Sequence, residues 1–315
     1  MADVVVLSVR EANLLRKRLQ DLLELRDELF KHPDEETVHD LRVASRRARE
    51  VLDYLEVALP QNTYQKLRGP AKKITSRLGE LRETEVNQKL TEKLQSEELI
   101  PPLAAELLLH TLDDRKRNLQ QKVNKQMKAG RFKPYEKFLG HLKGSRMTIP
   151  ASQEVLQRRA EDFYNFILPE PEDMKDEPLH ELRILTKKFR YALEIHNRLR
   201  HRAIGRFILR IKRLQELLGE IHDLFVFVNL IQEEARKWND SRLTLIPEAL
   251  QNAIQVVTAR KEKLYPRVNV LLQKILDNTP EEIRPVPRKI VQTSETTVTE
   301  VEEVPEEGPS VLKIS

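Results

Sequence analysis

The feature that most constrains the fold is a segment that occurs twice. His39-Asp-Leu-Arg-Val-Ala-Ser-Arg-Arg-Ala-Arg-Glu-Val-Leu-Asp53 is answered by His180-Glu-Leu-Arg-Ile-Leu-Thr-Lys-Lys-Phe-Arg-Tyr-Ala-Leu-Glu194. His39, Arg42, Arg46, Arg47 and Arg49 thus stand 141 positions before His180, Arg183, Lys187, Lys188 and Arg190. The match resumes at an offset of 140, where Leu78-Gly-Glu-Leu-Arg-Glu-Thr-Glu-Val86 answers Leu218-Gly-Glu-Ile-His-Asp-Leu-Phe-Val226, and Lys66 and Lys73 fall opposite Arg206 and Arg213. A weaker third block sets Arg115, Lys116, Leu119, Lys122 and Val123 beside Arg260, Lys261, Leu264, Arg267 and Val268, at an offset of 145. Three blocks in one order imply a duplicated unit of about 140 residues, far longer than a solenoid period. Each copy is expected to form its own bundle, the first over about 8–146 and the second over about 150–279.

Apolar residues recur with the 3.6-residue period of helices, and no alternating run is long enough for a strand. The pattern predicts helices near 8–31, 35–58, 61–83, 85–96, 102–129 and 134–143 in the first unit. In the second it predicts 152–168, 177–199, 201–220, 222–238 and 244–277, with Pro70, Pro247 and Pro266 each starting, kinking or dividing a helix. The expected fold class is all-α. Charged residues at 33%, aromatics at 5% and eight glycines in 315 residues also disfavour a tightly turned β-sandwich or a Gly-rich nucleotide-binding sheet.

The charge is unevenly spread. Net charge is +5, but Pro280 to Ser315 holds four basic residues and eight glutamates, which leaves 51 basic against 42 acidic residues, or +9, on residues 1–279. The Thr-, Val-, Glu- and Pro-rich stretch 280–315 has no helical period and is expected to be a disordered acidic tail. A domain at +9 suits a polyanionic partner.

On a helix, His39, Arg42, Arg46 and Arg49 fall within about 80° of arc, beside a core row of Leu41, Ala44, Ala48, Leu52 and Leu55. His180, Arg183, Lys187 and Arg190 repeat the basic row, and Leu182, Leu185, Phe189 and Leu193 the core row. Arg47 and Lys188 point to the other side of each histidine. Like charges on one face repel by some tenths of a kcal/mol per pair, and most such runs are solvated surface. Recurrence at the same spacing favours function, and guanidinium and ammonium groups suit phosphate oxygens. His39 and His180 either contact a phosphate or hold backbone groups; the residues leave both open.

Other chemistries find little support. With no cysteine there are no disulfides, thiolate nucleophiles or Cys-based metal sites. His39-Asp40, His180-Glu181 and His222-Asp223 are adjacent pairs, whereas helical metal ligands need i, i+3 or i+4 spacing. HExxH, GxxxxGK[ST], GxSxG and GxGxxG are all missing. Glu300-Val-Glu302 lies in the low-complexity tail and is read as a chance match. No catalytic residue, metal or cofactor is expected. The opening residues do not resemble a signal peptide, and no uncharged apolar stretch reaches about 18 residues, so a soluble cytoplasmic protein is expected.

The motif His-x-x-Arg-x-x-x-[Arg/Lys]-[Arg/Lys]-x-Arg, twice followed by Leu-Gly-Glu-x-x-[Asp/Glu], resembles the CHAD family of conserved-histidine α-helical domains, over residues 8 to 277 or so. The resemblance implies two pseudo-symmetric four-helix bundles about a basic central pore or groove. It also implies non-catalytic binding of long-chain inorganic polyphosphate, with residence at polyphosphate granules. Carried over, the binding residues are His39, Arg42, Arg46, Arg47, Arg49 and Lys73, and His180, Arg183, Lys187, Lys188, Arg190 and Arg213. Two departures stand out. The acidic residue after Leu-Gly-Glu-x-x is Asp223 in the second copy but Glu83 in the first, which changes how the first copy's basic row is braced. The ExExK signature of the CYTH phosphohydrolase domain that accompanies some members is missing. Nucleic acid is the weaker alternative partner, because only Phe189 and Tyr191 interleave with the basic rows as stacking platforms. A phosphoanhydride hydrolase is weaker still, since it would need clustered carboxylates for Mg²⁺.

Overall fold

The computed structural model describes residues 7–32, 34–126, 132–142, 152–166, 176–200, 204–238 and 244–284. Among these the structure is all-α, with ten α-helices and the 3₁₀ turns Glu56–Ala58 and Glu281–Ile283. The first half comprises α1 (Val9–Lys31), α2 (Glu35–Tyr54), α3 (Gln61–Ser96), α4 (Pro102–Gln126) and α5 (Lys133–His141). The second comprises α6 (Ser152–Tyr164), α7 (Asp176–Arg200), α8 (Gly205–Trp238), α9 (Leu245–Glu262) and α10 (Tyr265–Asp277).

Local chemistry sets the helix starts. Ser8 opens α1 with a capping box: its hydroxyl accepts from Glu11 N–H at 3.2 Å, and the Glu11 carboxylate accepts from Ser8 N–H at 2.9 Å. Asp34 caps α2 by accepting from Thr37 N–H at 2.7 Å, which holds its carboxyl below the usual range. Pro266 lies in the first turn of α10 and divides the predicted 244–277 helix at Lys263-Leu264.

Two predicted breaks do not occur. The 61–83 and 85–96 segments are one helix of 36 residues, about 54 Å long at the standard rise. At the expected junction the buried Thr84 hydroxyl donates to the Glu80 carbonyl at 3.0 Å, so it does not compete with the helical backbone. The helix also continues through Pro70. In the second half the break expected between 220 and 222 is likewise absent, since α8 runs unbroken over Gly205–Trp238 with Ile221 buried at the expected junction.

Helices α1 to α4 pack successively in chain order, as do α6 to α9. Across the halves, α2 meets α7, α3 meets α8 and α4 meets α9, so helices that share sequence blocks touch their own counterparts. The buried apolar residues of both halves form one cluster rather than two separate cores. Its second-half centre is aromatic: Phe189 of α7 stacks on Phe163 of α6 at 5.0 Å and meets Phe207 of α8 edge-on at 6.2 Å.

The expected disordered tail from Pro280 needs correction at its start. Glu281–Ile283 forms a turn against α6 with Ile283 buried, and the Tyr164 and Thr279 hydroxyls bond at 2.6 Å. Apolar burial of one isoleucine is enough to hold a segment whose composition is otherwise acidic. The rest of the acidic tail, the predicted join at 144–150 and the punctuation at Pro169 and Pro171 lie outside the described residues.

Candidate functional site

The site follows from the meeting of α2 and α7. In both helices the core row is buried, Leu41, Ala44, Ala48 and Leu52 in one and Leu182, Phe189 and Leu193 in the other. Packing on that row turns the adjacent basic row toward the seam between the halves. Arg42, Arg46 and Arg49 from α2 and Arg183, Lys187 and Arg190 from α7 are all partly buried.

These cations sense one another. Burial, then Arg46, Arg82 and Arg183, lower the Arg42 pKa. Lys187 is pushed down to about 8, by burial foremost and also by Arg46, Arg49 and Arg183, against the opposing pull of Glu50. Arg183 is lowered by burial, and Asp223 is raised by burial against the pull of Arg183, Arg82 and Arg42. Arg42, Arg46, Arg183 and Lys187 form no ion pair or side-chain hydrogen bond among the described residues. The Nε atoms of Arg42 and Arg46 are buried without a partner, and Arg46 only stacks over the Tyr191 ring at 5.8 Å. Desolvated cations that lack anions are unfavourable, and a bound anion would remove that deficit.

Arg49 and Arg190 are braced instead. Arg49 donates to Glu50 at 2.9 Å, while Arg190 donates to Gln215 at 2.6 Å and to Glu194, and lies over the Tyr191 ring at 4.4 Å. Arg47 and Lys188 are exposed. The histidines differ. His39 is partly buried with Nδ1 unpartnered, whereas His180 is exposed and packs at 5.2 Å against His222, whose pKa burial and the charges of Arg183, His180 and Lys187 push down to about 4. Lys73 and Arg213 are exposed on α3 and α8 and line neither of the clefts beside the seam.

Those two clefts share Glu50 and Tyr191 in their walls. The first, of about 280 Å³, takes Arg49 from α2, Arg159 from α6 and Arg183, Lys187 and Lys188 from α7. The second, of about 540 Å³, takes Arg18 from α1, Arg46 and Arg47 from α2 and Arg190 from α7. Their linings correspond at the repeat offset: Arg18 with Arg159, Arg46 with Lys187, Arg47 with Lys188, Arg49 with Arg190, and Glu50 with Tyr191. Among the described residues no group of three or more His, Asp or Glu side chains converges as a metal site, and no helix is long and apolar enough to cross a membrane.

The CHAD domain profile matches residues 13–232, more than half of the chain. The chain belongs to the CHAD family. This domain is one associated with polyphosphate binding or with triphosphate tunnel-like proteins. Two solved structures share the CHAD fold seen here. PptA from Streptomyces chartreusis has a TM-score of 0.63 at 16% identity, over 85% of this chain and 98% of that one. The crystal structure of the CHAD domain from the plant Ricinus communis has a TM-score of 0.60 at 21% identity, over 87% of this chain and 94% of that one. No curated protein matches the chain.

Three contributors to this CHAD site escaped the motif. Arg82 of α3 faces Arg42 and Asp223, but its counterpart in the second copy is His222, so no repeated cation marks it. Arg18 and Arg159 bring α1 and α6 to the clefts. Their signal was present, since Leu15, Lys17 and Arg18 match Leu156, Arg158 and Arg159 at the same 141 offset.

Proposed function

We propose that the chain binds long-chain inorganic polyphosphate without hydrolysing it, through the cations of the α2–α7 seam. The observation that carries this reading is the meeting of Arg42, Arg46, Arg183 and Lys187, drawn from both repeats, with no ion pair or side-chain hydrogen bond among the described residues and with two buried guanidinium nitrogens unbonded. Polyphosphate carries about one negative charge per internal phosphate, so a row of cations can track it while releasing counterions. The contact of like helices across the halves fits a two-fold arrangement with the basic groove along its axis. A polymer without sequence requires only charge density and length to be sensed, and arginine and lysine side chains supply that. On this reading the protein works in the cytoplasm, at polyphosphate granules.

Replacing Arg42, Arg46, Arg183 and Lys187 together by alanine is expected to abolish binding of long-chain polyphosphate while leaving the helical circular dichroism intact. Tight binding by the folded variant overturns the site. Affinity of the native protein should fall steeply between about 50 and about 500 mM salt. At matched phosphate it should exceed affinity for single-stranded RNA and duplex DNA; equal binding to all three makes the protein a general polyanion binder. Release of orthophosphate by the pure protein with Mg²⁺ would refute the non-catalytic reading.

A further inference from the structure

The clefts beside the seam are counterparts in position but not in composition. The second is nearly twice the volume of the first. Arginines 46 and 47 stand where the first cleft has lysines 187 and 188, and the end of α7 and α8 supply Arg198 and Lys212, whereas the first cleft has Arg183 and an Arg68 tied to Asp53. Six cations from four helices thus surround one hollow: Arg18, Arg46, Arg47, Arg190, Arg198 and Lys212, against Glu50 and Glu194.

The supply of carboxylates does not match them. Arg18 pairs with Asp21 at 3.3 Å, Arg190 with Glu194, and Lys212 with Glu216 at 3.5 Å. Arg46, Arg47 and Arg198 have no acidic partner among the described residues. Burial and the charges of Arg198 and Arg47 also lower the Arg18 pKa, so these arginines press on one another from α1, α2 and α7. Two enclosed polar atoms are left unbonded in this wall, Arg46 Nε and the hydroxyl of Tyr191, a residue only 7% exposed. The floor is apolar, made by Leu14, Val51 and Ile195.

We propose that this cleft is a second anion site, beside the seam and sharing Arg46 with it, whose ligand is a compact small molecule carrying several phosphomonoester groups on one carbon skeleton. A phosphomonoester carries about −1.5 to −2 charges at pH 7 and three terminal oxygens, more than the internal phosphate of a linear chain. Arginine forks bind such groups bidentately, which lysine does not. Cations that converge from four helices suit charges arranged radially, and the apolar floor suits a carbon ring. Arg46, Arg47 and Arg190 belong to the repeated basic rows, whereas Arg198 and Lys212 lie outside them, so these two separate binding in this cleft from binding of polyphosphate along the seam.

Calorimetric titration with myo-inositol hexakisphosphate tests it. The native protein is expected to bind one equivalent. The Arg198→Gln/Lys212→Gln variant, with its helical signal retained, should bind about tenfold or more weakly, because two of six converging guanidinium or ammonium groups are gone. The Arg42→Ala/Arg183→Ala variant removes seam cations that do not line this cleft and should bind the hexakisphosphate as the native protein does. Long-chain polyphosphate should show the opposite ranking of the two variants. Failure of the native protein to bind the hexakisphosphate overturns the inference, as does equal weakening in both variants. Linear tripolyphosphate binding as tightly would overturn the preference for a compact ligand. Failure of polyphosphate alone to bind would refute the seam reading and leave this one standing.

Discussion

Where the first repeat has Arg46, the second has Lys187, and the exchange changes what the two halves do with the same position. Arg46 stacks on Tyr191; Lys187, half-buried beside Arg46, Arg49 and Arg183, is pushed down to about 8. The pair Glu50 and Tyr191 teaches the same lesson. Both occupy the shared wall of the clefts, where two glutamates would repel and two tyrosines would leave that wall without an acid. Glu83 and Asp223 complete the pattern. Glu83 is exposed and reaches Arg115 at 3.8 Å, whereas Asp223 sits half-buried among Arg183, Arg82 and Arg42. Duplication supplied the frame, and divergence at the facing positions supplied an asymmetric charge distribution.

The comparison breaks most sharply in the core. Phe189, which stacks between Phe163 and Phe207, corresponds to Ala48, which is equally buried. Phe189→Ala is expected to destabilise the fold by about 3–5 kcal/mol in urea denaturation, since no aromatic neighbour can refill the space. Ala48→Gly should cost about 1 kcal/mol, the helix-propensity difference. Equal losses would mean that the halves carry equivalent cores.

The acidic pair gives a smaller contrast. Asp223→Asn should leave stability unchanged or raise it slightly, because burial outweighs the pull of Arg183, Arg82 and Arg42 on this carboxylate, and it should tighten polyphosphate binding. Glu83→Gln, on the surface, should stay within about 0.5 kcal/mol. A loss of stability in Asp223→Asn would show that attraction to the arginines outweighs the burial of that carboxylate.

The smallest effect is the pH response. Lys187 has a folded pKa near 8, below its unfolded value of 10.5, so the unfolded chain binds more protons between them. Through this group, stability therefore rises with pH across that window. A polyanion prefers the protonated amine, so affinity should fall by a few-fold from pH 7 to 9. Lys187→Arg should flatten that profile, and Arg46→Lys should steepen it. An unchanged profile in Lys187→Arg would place the titrating group elsewhere.

Helix type and the two basic rows were legible because each rests on a local period and each is written twice. The continuity of α3 and α8 was not, because whether a helix runs through Thr84 or Ile221 depends on burial against other helices. Lys73 and Arg213 were drawn in by their repeat register, but register along a helix does not fix which way its face turns relative to α2 and α7. Arg82 and Arg198 carry no mirrored cation at all; only the assembled helices bring Arg82 to the seam and Arg198 to the second cleft.

The turn at Glu281–Ile283 has a consequence for where the chain can be shortened. Helix α6 brings Val155 and Arg159 to the first cleft, and the surfaces that clasp it are α7 and this turn. Thr279 and the Glu281–Ile283 turn thus act as a latch on a wall built more than a hundred positions upstream. A truncation after Arg284 leaves the latch closed. One that stops at Asp277 takes away Thr279 and Ile283 together, and it frees α6 to swing and reshape the cleft without a single cation having been changed.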